Sequence, residues 1–479
     1  MGTGNPSAPT RVLPSADLAQ ARAVMAAAPC HVVLPAGCGK TQAVASVAAT
    51  AAQDGRRVLL LTHTHAGVDA LRVRLRHLGV PPDARNLATI AAWTARLVQS
   101  YPGAARSDGR EGATWSEVCA AAARALRNRH IAGMLAASYD VIVVDEYQDC
   151  TCAQHDVVLA LNAIRPVIAF GDPLQAIYTF GDEKLVDWRQ MEPLRPLSLP
   201  CVGWRWRGVN ERLGAYLLDV RRSLLAGKAV DLRHPAVRWV DASPQATRRA
   251  LWASVNVPGT VTVIARFDQQ CEKIAKSLSG RFDVMEDIEG TRLLETARLV
   301  DASDGVRAAG AVLGLAKASM AKLPATLTTK LGPLQTGRFP RFQADTSAAP
   351  ALRSLQHFAD AGDPAALLTT LDALDGLGAT LCRQEAWRDF RRSAVAWEQG
   401  AASLTEAVRS VRHRSRILGR RLATRSVSRT VLIKGQEFDH CIVTSPETMT
   451  ACELYVAMTR GSRTLTVVSP TPMLEPSAG

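Results

Sequence analysis

The sequence predicts an α/β fold built on parallel sheets, and three features of the 479-residue chain support this prediction. Short apolar runs alternate with Ala- and Leu-rich stretches of helical length. The runs are almost continuously apolar, as in strands that are buried on both faces of a parallel sheet. Each then ends in a polar cluster, as in HVVLPAG, RRVLLLTHT, YDVIVVDEY and RPVIAFGDP. Open α/β sheets bind ligands at the carboxyl ends of their strands, so these clusters are candidate binding positions.

Composition and charge favour a globular chain with an anionic partner. The chain is 47% hydrophobic and 21% charged, with a formal charge of +13 and a pI near 9.6. Nucleic acid is the leading candidate partner, and a charge that only maintains solubility is the alternative. No apolar run approaches the roughly 18 residues of a membrane-spanning helix, and the N-terminus lacks the apolar core of a signal peptide. We therefore expect a cytoplasmic protein without a membrane partner.

The ten cysteines are scattered along the chain. The closest pair, Cys150 and Cys152, lacks C-x-x-C spacing and has no second pair nearby. A zinc site or a disulfide framework is therefore not expected, and most of the thiols should be small buried hydrophobic groups.

A candidate phosphate-binding loop reads LPAGCGKT, Leu34 to Thr41. Leucine stands where the usual G-x-x-x-x-G-K-[ST] pattern begins with glycine, but an apolar strand precedes the loop and an Ala-rich helix follows it, as this motif requires. Loop amides and the helix N-terminus would hold phosphates, Lys40 would neutralise their charge, and Thr41 would ligate Mg²⁺. The alternative is a plain glycine turn. The candidate nucleotide contacts are Ala36, Gly37, Cys38, Gly39, Lys40 and Thr41.

A candidate acidic pair follows the apolar run VIVV, at Asp145 and Glu146. Asp145 would hold Mg²⁺, and Glu146 would orient or deprotonate the attacking water. An isolated Asp-Glu pair after a strand is more often a helix cap. The phosphate-binding loop elsewhere in the chain favours the catalytic interpretation here.

The stretch DEYQD followed by GDPLQAIYTF resembles motifs II and III of superfamily-one helicases of the UvrD/Rep/PcrA type. Further motifs of this family match in order along nearly the whole chain. They are QARAV with Gln20 upstream of the loop, LTHTHAGVDALRVRL (motif Ia), Thr89 to Trp93 (motif Ib), Trp204-Arg205 (motif IV), Lys434 to Asp439 (motif V) and LYVAMTRGSRTLTVV (motif VI). Their common order is far more specific than any single match.

The resemblance implies two RecA-like parallel-sheet motor domains of the P-loop NTPase class, with small helical insertions. The insertions look reduced, as in a compact family member. The expected ranges are 1–93 and 139–195 for the first domain, 94–138 for its insertion, 196–286 and 425–479 for the second domain, and 287–424 for a helical insertion.

The resemblance also implies ATP and Mg²⁺ as ligands and assigns roles at the nucleotide. Gln20 would read adenine, Trp204 would stack on it, and Glu437 would contact the ribose or the phosphate network. Three residues would sense the γ-phosphate: Gln175, Arg205 and Arg460. Arginines supplied across a cleft stabilise transition-state charge only when the cleft is closed, which would tie hydrolysis to domain motion. A core position is the alternative for Trp204.

Single-strand binding in such motors uses aromatic faces and polar groups directed at the backbone. The candidates are His63, Thr64 and His65 in motif Ia, Thr89 and Trp93 in motif Ib, and Tyr178 and Phe180 after motif III. A core position is the alternative for each aromatic. Histidines replace the usual Phe and Asn of motif Ia, and motifs Ib and V lack their usual histidine. The nucleotide side is therefore better preserved than the nucleic acid side.

An arginine-rich stretch precedes motif V, VRSVRHRSRILGRRLATR. It would form a cationic stripe along a phosphate backbone, or a solvated helix face. Its arginines are Arg409, Arg412, Arg414, Arg416, Arg420, Arg421 and Arg425.

These features predict an ATP-dependent helicase or translocase acting on single-stranded or tailed DNA, in repair, replication or phage defence. The 3′ to 5′ polarity is implied only by the resemblance. An RNA-directed motor is one alternative. The other is a nucleotide-gated ATPase that regulates a nuclease or repair partner without unwinding.

Overall fold

The structure is a computed structural model that describes residues 13–105, 113–178, 183–287, 290–418 and 423–477, with only the backbone at 416–418. The chain forms two compact units. The first comprises residues up to 230 together with 450–462, and the second comprises 231–449 and 463–477.

The first unit is organised around a six-stranded parallel sheet. Its strand order is β3-β2-β4-β5-β1-β6. The strands are β1 (Cys30–Val33), β2 (Val58–Thr62), β3 (Arg85–Thr89), β4 (Val141–Val144), β5 (Val167–Gly171) and β6 (Arg195–Leu197).

Helices cover both faces of this sheet. The helices of the first unit up to residue 230 are α1 (Ser15–Ala26), α2 (Lys40–Gln53), α3 (His65–His77), α4 (Ile90–Ser100), α5 (Pro102–Ala105), α6 (Trp115–Leu126), α7 (Arg129–Ser138), α8 (Cys152–Asn162) and α9 (Glu211–Leu225). Short 3₁₀ turns follow β4 at Tyr147–Asp149 and β5 at Pro173–Gln175.

Successive residues of the central strands enter two different cores. In β2, Leu59 and Leu61 join the core that contains α4, α6 and α8, whereas Val58 and Leu60 join the core beneath α1, α2 and α3. Side chains alternate across a strand, so a strand that is buried on both faces must be apolar at every position. This requirement explains the continuous apolar runs seen in the sequence.

The second unit contains another six-stranded sheet, in the order β10-β13-β9-β14-β15-β8. Its strand pairs with a defined register are parallel. The strands are β8 (Arg238–Asp241), β9 (Val261–Ala265), β10 (Asp283–Val284), β13 (Arg425–Arg429), β14 (Phe438–Thr444) and β15 (Gly461–Ser469). The short strand β7 (Val230–Asp231) precedes the sheet, and β16 (Met473–Leu474) follows it.

A helical stretch lies between β10 and β13 and has a hydrophobic core of its own. The short strands β11 (Met320–Ala321) and β12 (Thr380–Leu381) pair antiparallel within it. The helices from β8 up to β13 are α10 (Pro244–Ala253), α11 (Asp268–Ser277), α12 (Thr291–Ala302), α13 (Gly305–Ser319), α14 (Ala325–Thr328), α15 (Leu331–Gln335), α16 (Ala349–Ala361), α17 (Pro364–Asp375), α18 (Gln384–Glu398) and α19 (Leu404–Leu418). After β13 come α20 (Thr430–Ile433), a 3₁₀ turn at Pro446–Thr448, and α21 (Ala451–Met458).

The predicted fold class is confirmed, because two separate α/β sheets are present and helical segments interrupt each of them. The compact units divide the chain differently from the expected domains, since 196–230 and 450–462 pack with the first unit. The expected ranges therefore stay a prediction. Within the described part of the chain, no helix combines the length and hydrophobicity needed to cross a bilayer.

A buried ion cluster connects α18 to the sheet of the second unit. Arg383, only 1% exposed, lies 2.7 Å from the Glu286 carboxylate and 2.8 Å from the Asp268 carboxylate. Glu286 follows β10 and Asp268 begins α11, so one guanidinium holds three segments together. Removal of one partner from a buried pair leaves the other charge uncompensated, which is costly.

Arg383→Met should therefore destabilise the second unit by about 3–5 kcal/mol, because Glu286 keeps a buried charge without its cation. Arg388→Met is the matched control, since Arg388 is exposed on α18, the helix that Arg383 directly precedes, and surface substitutions cost at most about 0.5 kcal/mol. Urea denaturation of both variants measures the difference. Equal midpoints would show that the cluster contributes nothing.

Candidate nucleotide and nucleic acid site

The predicted site residues of the first unit converge on one edge of its sheet. Parallel strands bring their carboxyl ends together, and the order β3-β2-β4-β5-β1 arranges five of these ends side by side. The phosphate-loop sequence follows β1, motif III follows β5, and motif II follows β4. Motifs Ia and Ib follow β2 and β3, where Thr62 and Thr89 are register partners. The phosphate loop and motifs II and III thus lie toward one end of this edge, and the nucleic acid candidates of motifs Ia and Ib lie toward the other.

The loop after β1 has the backbone of a phosphate-binding turn. Gly37 and Gly39 have positive φ angles of 72° and 82°, a conformation that glycine adopts without strain. Lys40 is the first residue of α2, so the loop leads directly into a helix N-terminus. Amides at such a terminus favour bound anions.

Lys40 already faces an anionic partner. Its Nζ atom lies 2.7 Å from the Glu146 carboxylate, and the lysine is 8% exposed. Burial works to lower the pKa of Lys40, but the negative charges of Glu146 and Asp145 more than offset it, so that pKa lies above its usual value. The structure thus brings together the loop lysine and both acidic residues that the sequence predicted.

Glu146 occupies a strained backbone conformation. Its φ of 56° and ψ of 37° are left-handed, which costs a residue with a Cβ atom about 1–2 kcal/mol. The Gln148 side chain donates a hydrogen bond to the Glu146 carboxylate and accepts one from the Asp172 amide at 3.0 Å. Strain of this kind clusters at functional sites, where the surrounding structure maintains it.

Asp145 is the more buried carboxylate, at 2% exposed. It accepts a 2.8 Å hydrogen bond from the Glu146 amide. Burial, followed by the nearby charge of Glu146, raises the pKa of Asp145 to about 7. A neighbouring cation favours the ionised form of such a group.

Asp172 is a fully buried carboxylate at the carboxyl end of β5, and the sequence did not identify it. It accepts a 3.1 Å hydrogen bond from the Gln175 side chain and forms a 2.9 Å ion pair with Arg221 of α9. Gln175, the predicted γ-phosphate sensor, is itself buried at 6% exposed. The buried carboxylate of Asp172 therefore holds its side chain in place. Asp172 and Arg221 therefore act as positioning residues for motif III.

Residues 201–206 lie directly on the phosphate loop. The Arg205 amide donates to the Gly37 carbonyl at 3.1 Å. A Cβ atom added at Gly37 would lie 2.7 Å from the Trp206 ring, and one added at Gly39 would lie 2.9 Å from the Trp204 ring. Trp204 is 52% exposed, which argues against a core position for this ring.

Trp206 has the buried role that the sequence left open for Trp204. It is 1% exposed, and its indole nitrogen donates to the Gly461 carbonyl at 2.9 Å. The neighbouring Arg205 guanidinium donates to the Thr459 carbonyl. The segment is thus joined to the chain around motif VI within the first unit.

Helix α21 and the residues up to 462 place the first part of motif VI in the first unit. The Tyr455 hydroxyl accepts a 3.1 Å hydrogen bond from the Ala36 amide of the phosphate loop. Arg460 is 1% exposed and donates to the Val456 carbonyl and to the Thr459 hydroxyl. Its guanidinium is held in place by its own helix.

Three further nucleotide candidates have less defined surroundings. Gln20 is partly exposed on α1, and Thr41 is partly exposed in the first turn of α2. Glu437 is exposed in the second unit, directly before β14. Their predicted roles stay predictions.

The two threonines among the nucleic acid candidates cap helices. The Thr64 hydroxyl accepts a hydrogen bond from the Gly67 amide at 3.0 Å, and the Thr89 hydroxyl accepts one from the Ala92 amide at 3.1 Å. Both α3 and α4 therefore begin at the ligand-bearing edge of the sheet. His65 is exposed at the first position of α3, whereas His63 is partly buried and lies 3.2 Å from the Cys150 sulfur.

The aromatic candidates have different surroundings. Trp93 is 6% exposed and packs in the core beneath α4 and α6, which favours the core role over base stacking. Tyr178 is partly buried, and burial raises the pKa of its hydroxyl. Phe180 lies outside the described residues.

The arginine-rich stretch is partly structural. Arg412 is 5% exposed and pairs with Glu385 and Asp389 at 2.9 and 2.8 Å. Arg425 donates to backbone carbonyls, including that of Val255 at 3.0 Å. Only Arg409 and Arg414 are seen to be exposed, since the side chain of Arg416 and both Arg420 and Arg421 lie outside the described residues.

Several residues that hold the site together were missed by the sequence analysis. They are Gln148, Asp172, Trp206, Arg221 and Tyr455. Gln148 and Asp172 stood inside the quoted motifs II and III, Trp206 directly follows the motif IV pair, and Tyr455 stood inside motif VI. Arg221 had no local signal, because its partner is 49 positions away.

The oxygen donors at the edge of the sheet fit a magnesium ion. Mg²⁺ prefers hard oxygen ligands and binds through one or two protein groups together with phosphates. Asp145 supplies a buried carboxylate, and Thr41 supplies a hydroxyl at the helix N-terminus. The donor chemistry thus agrees with the ion that the sequence predicted.

The loop, the acidic pair and the parallel sheet define a P-loop nucleotide-binding domain in the first unit. Comparison with known proteins agrees, because residues 19–181 match a family described as an AAA domain. No curated protein matches the chain. Among solved structures, the Pif1 helicase from Candida albicans is similar at 11% identity and a TM-score of 0.37, with 96% of this chain and 95% of that chain covered.

Gly37→Ala should disrupt this site, and Gly55→Ala is the matched control. Both glycines have a φ of 72°, but a Cβ atom at Gly55 meets nothing within 4 Å, whereas one at Gly37 meets Trp206. The backbone strain costs each variant about 1–2 kcal/mol, and overpacking adds about 1–3 kcal/mol at Gly37. Urea denaturation and binding of a fluorescent ATP analogue measure both effects. Equal behaviour of the two variants would contradict the packing of Trp206 on the loop.

Proposed function

We propose that the protein is an ATP-dependent motor of the superfamily-one helicase type that moves on single-stranded DNA. The observation that carries the proposal is the placement of Lys40, Asp145 and Glu146 together at one end of a sheet edge whose other end bears motifs Ia and Ib. A motor needs its nucleotide site and its DNA site on adjacent β-strand ends, because ATP hydrolysis must alter the contacts that the protein makes with the bound DNA.

The chain's own residues supply the hydrolytic chemistry. When nucleotide binds, Lys40 leaves its ion pair with Glu146 and contacts the phosphates instead. The Glu146 carboxylate is then released to orient or deprotonate the attacking water. Gln175, Arg205 and Arg460 respond to the γ-phosphate, with Asp172 holding Gln175 in position. Mg²⁺, held by Thr41 and Asp145, would neutralise phosphate charge when bound.

The exposed face of Trp204 fits the adenine. Its ring lies against Gly39, and the Arg207 guanidinium lies 4.7 Å from the ring centre. Aromatic faces stack on nucleobases without reading their edges. Gln20 would then read the adenine edge, and Glu437 would contact the ribose or phosphates.

The single-stranded DNA is bound at motifs Ia and Ib by protein groups that face its phosphate backbone. The N-termini of α3 and α4 begin at Thr64 and Thr89, and helix N-termini attract phosphates. His65 is exposed beside them, with Tyr178 and Phe180 as further candidates for base contacts. The formal charge of +13 favours the same partner.

Polarity and pathway follow from the family resemblance. The UvrD-like motifs imply 3′ to 5′ movement on tailed DNA, in repair, replication or phage defence, where a nuclease or repair protein would be the partner. A duplex with a 3′ tail should lose its displaced strand, and one with a 5′ tail should not. The reverse pattern would overturn the polarity.

Glu146→Gln should leave ATP bound and lower turnover roughly 10²-fold or more, because the amide cannot accept the proton of the attacking water. Lys40→Ala should abolish nucleotide binding or turnover, and Glu295→Gln, an exposed exchange on α12, is the control. Steady-state ATP hydrolysis and nucleotide binding distinguish the variants. Wild-type turnover in both site variants would show that the site is assigned wrongly.

Arg460→Lys should lower turnover and spare ATP binding. The lysine keeps the charge but loses the planar fork of the guanidinium, and the role of Arg460 lies in the transition state. Arg463→Lys, an exposed exchange in β15, is the control. Loss of binding in Arg460→Lys would contradict a role confined to catalysis.

Single-stranded DNA should stimulate ATP hydrolysis, and the stimulation should fall as salt rises because phosphate contacts release counterions. Hydrolysis is measured at two salt concentrations without nucleic acid and with single-stranded DNA, single-stranded RNA or blunt duplex. Stronger stimulation by RNA would overturn the DNA assignment. Hydrolysis indifferent to all of them would overturn the motor and favour an ATPase controlled by a protein partner.

A further inference from the structure

Two cysteines that are distant in sequence meet at the phosphate loop. The Cys38 and Cys201 sulfurs lie 2.7 Å apart, although the residues are 163 positions apart. A disulfide bond has a sulfur–sulfur distance of about 2.05 Å, so bond formation needs only a small movement of the side chains. We propose that Cys38 and Cys201 form a reversible disulfide that closes the nucleotide loop.

The two thiols differ in access. Cys201 is exposed, whereas Cys38 is 5% exposed and lies between Gly37 and Gly39. An oxidant from solvent therefore meets the Cys201 sulfur first. Cys38 is the internal partner that resolves the oxidised group.

The local charges favour the same order of events. The hydrogen bond between the two sulfurs lowers the pKa of the Cys201 thiol. Burial and the charge of Asp172 oppose this lowering, and the charge of Arg221 adds to it. The same bond, together with burial, raises the pKa of Cys38. Because the thiolate is the nucleophile, Cys201 is the sulfur that reacts with an oxidant.

With hydrogen peroxide as the oxidant, the chemistry balances in two steps. The Cys201 thiolate attacks one peroxide oxygen, the O–O bond breaks, and the leaving hydroxide takes a proton to form water. The Cys38 sulfur then attacks the Cys201 sulfenic sulfur, the S–O bond breaks, and the hydroxide leaves with the Cys38 proton as a second water. Two thiols are oxidised to one disulfide, and one peroxide is reduced to two waters. A dithiol reductant reverses the reaction by exchange.

The bond acts on a segment that already contacts the loop. Arg205 bonds the Gly37 carbonyl, and the Trp204 and Trp206 rings lie against Gly39 and Gly37. A covalent tether at Cys38 fixes the loop against residues 201–206, so the loop cannot adjust around phosphates. This consequence rests on the proposed nucleotide site, whereas the disulfide itself does not.

The experiment treats the full chain with hydrogen peroxide and maps its peptides by mass spectrometry without reduction. A linked peptide that contains Cys38 and Cys201 is expected, and it should disappear after dithiothreitol. The Cys201→Ser variant should lack it, and Cys152→Ser, which removes another exposed thiol, should retain it. Failure to form the linked peptide in the wild type would overturn the proposal.

Binding of a fluorescent ATP analogue to the same samples tests whether the disulfide prevents the loop from binding nucleotide. Oxidation should weaken binding to the wild type and to Cys152→Ser roughly tenfold or more, because fewer molecules have a competent loop. Cys201→Ser should bind equally well with and without peroxide. A linked peptide with unchanged affinity would overturn control of the site by the disulfide. Absent binding in the reduced wild type, with the linked peptide still formed, would overturn the proposed nucleotide site instead.

Discussion

The parallel alignment of the six strands is the constraint on which the first unit depends. Because all carboxyl ends lie at one edge, loops that are far apart in sequence become neighbours without any dedicated long-range pairing. The cost is that every central strand must be apolar on both faces, and β2, β4 and β5 are fully buried. Function is thereby confined to the loops, where polar residues reach solvent.

Those loops are held by buried polar contacts rather than by their own sequence preferences. Gln148 bridges the loops after β4 and β5, Asp172 holds Gln175, and Arg221 neutralises Asp172. Such a network stabilises a strained residue such as Glu146 only while every member is paired. Its geometry is therefore set by the unit as a whole.

The second unit is also built on a sheet of aligned strands, but a helical stretch is inserted into it. Its sheet is interrupted by a long helical stretch, and the buried Arg383 cluster attaches that stretch to the sheet. Loss of any one member of this cluster leaves a buried charge without its partner, which is costly. Arg412 repeats the arrangement between α18 and α19.

The sequence alone determined the fold class, four strands of the first sheet (β1, β2, β4 and β5) and the meeting of Lys40, Asp145 and Glu146. Apolar continuity, glycine placement and motif order are local or ordered signals. Only the tertiary structure decided that Trp206 and Trp93 are buried while Trp204 is exposed, that Arg412 is paired, and that Cys38 meets Cys201. The burial of an aromatic ring and the partner of an arginine or a thiol depend on chain segments tens to hundreds of residues away. No local pattern carries that information.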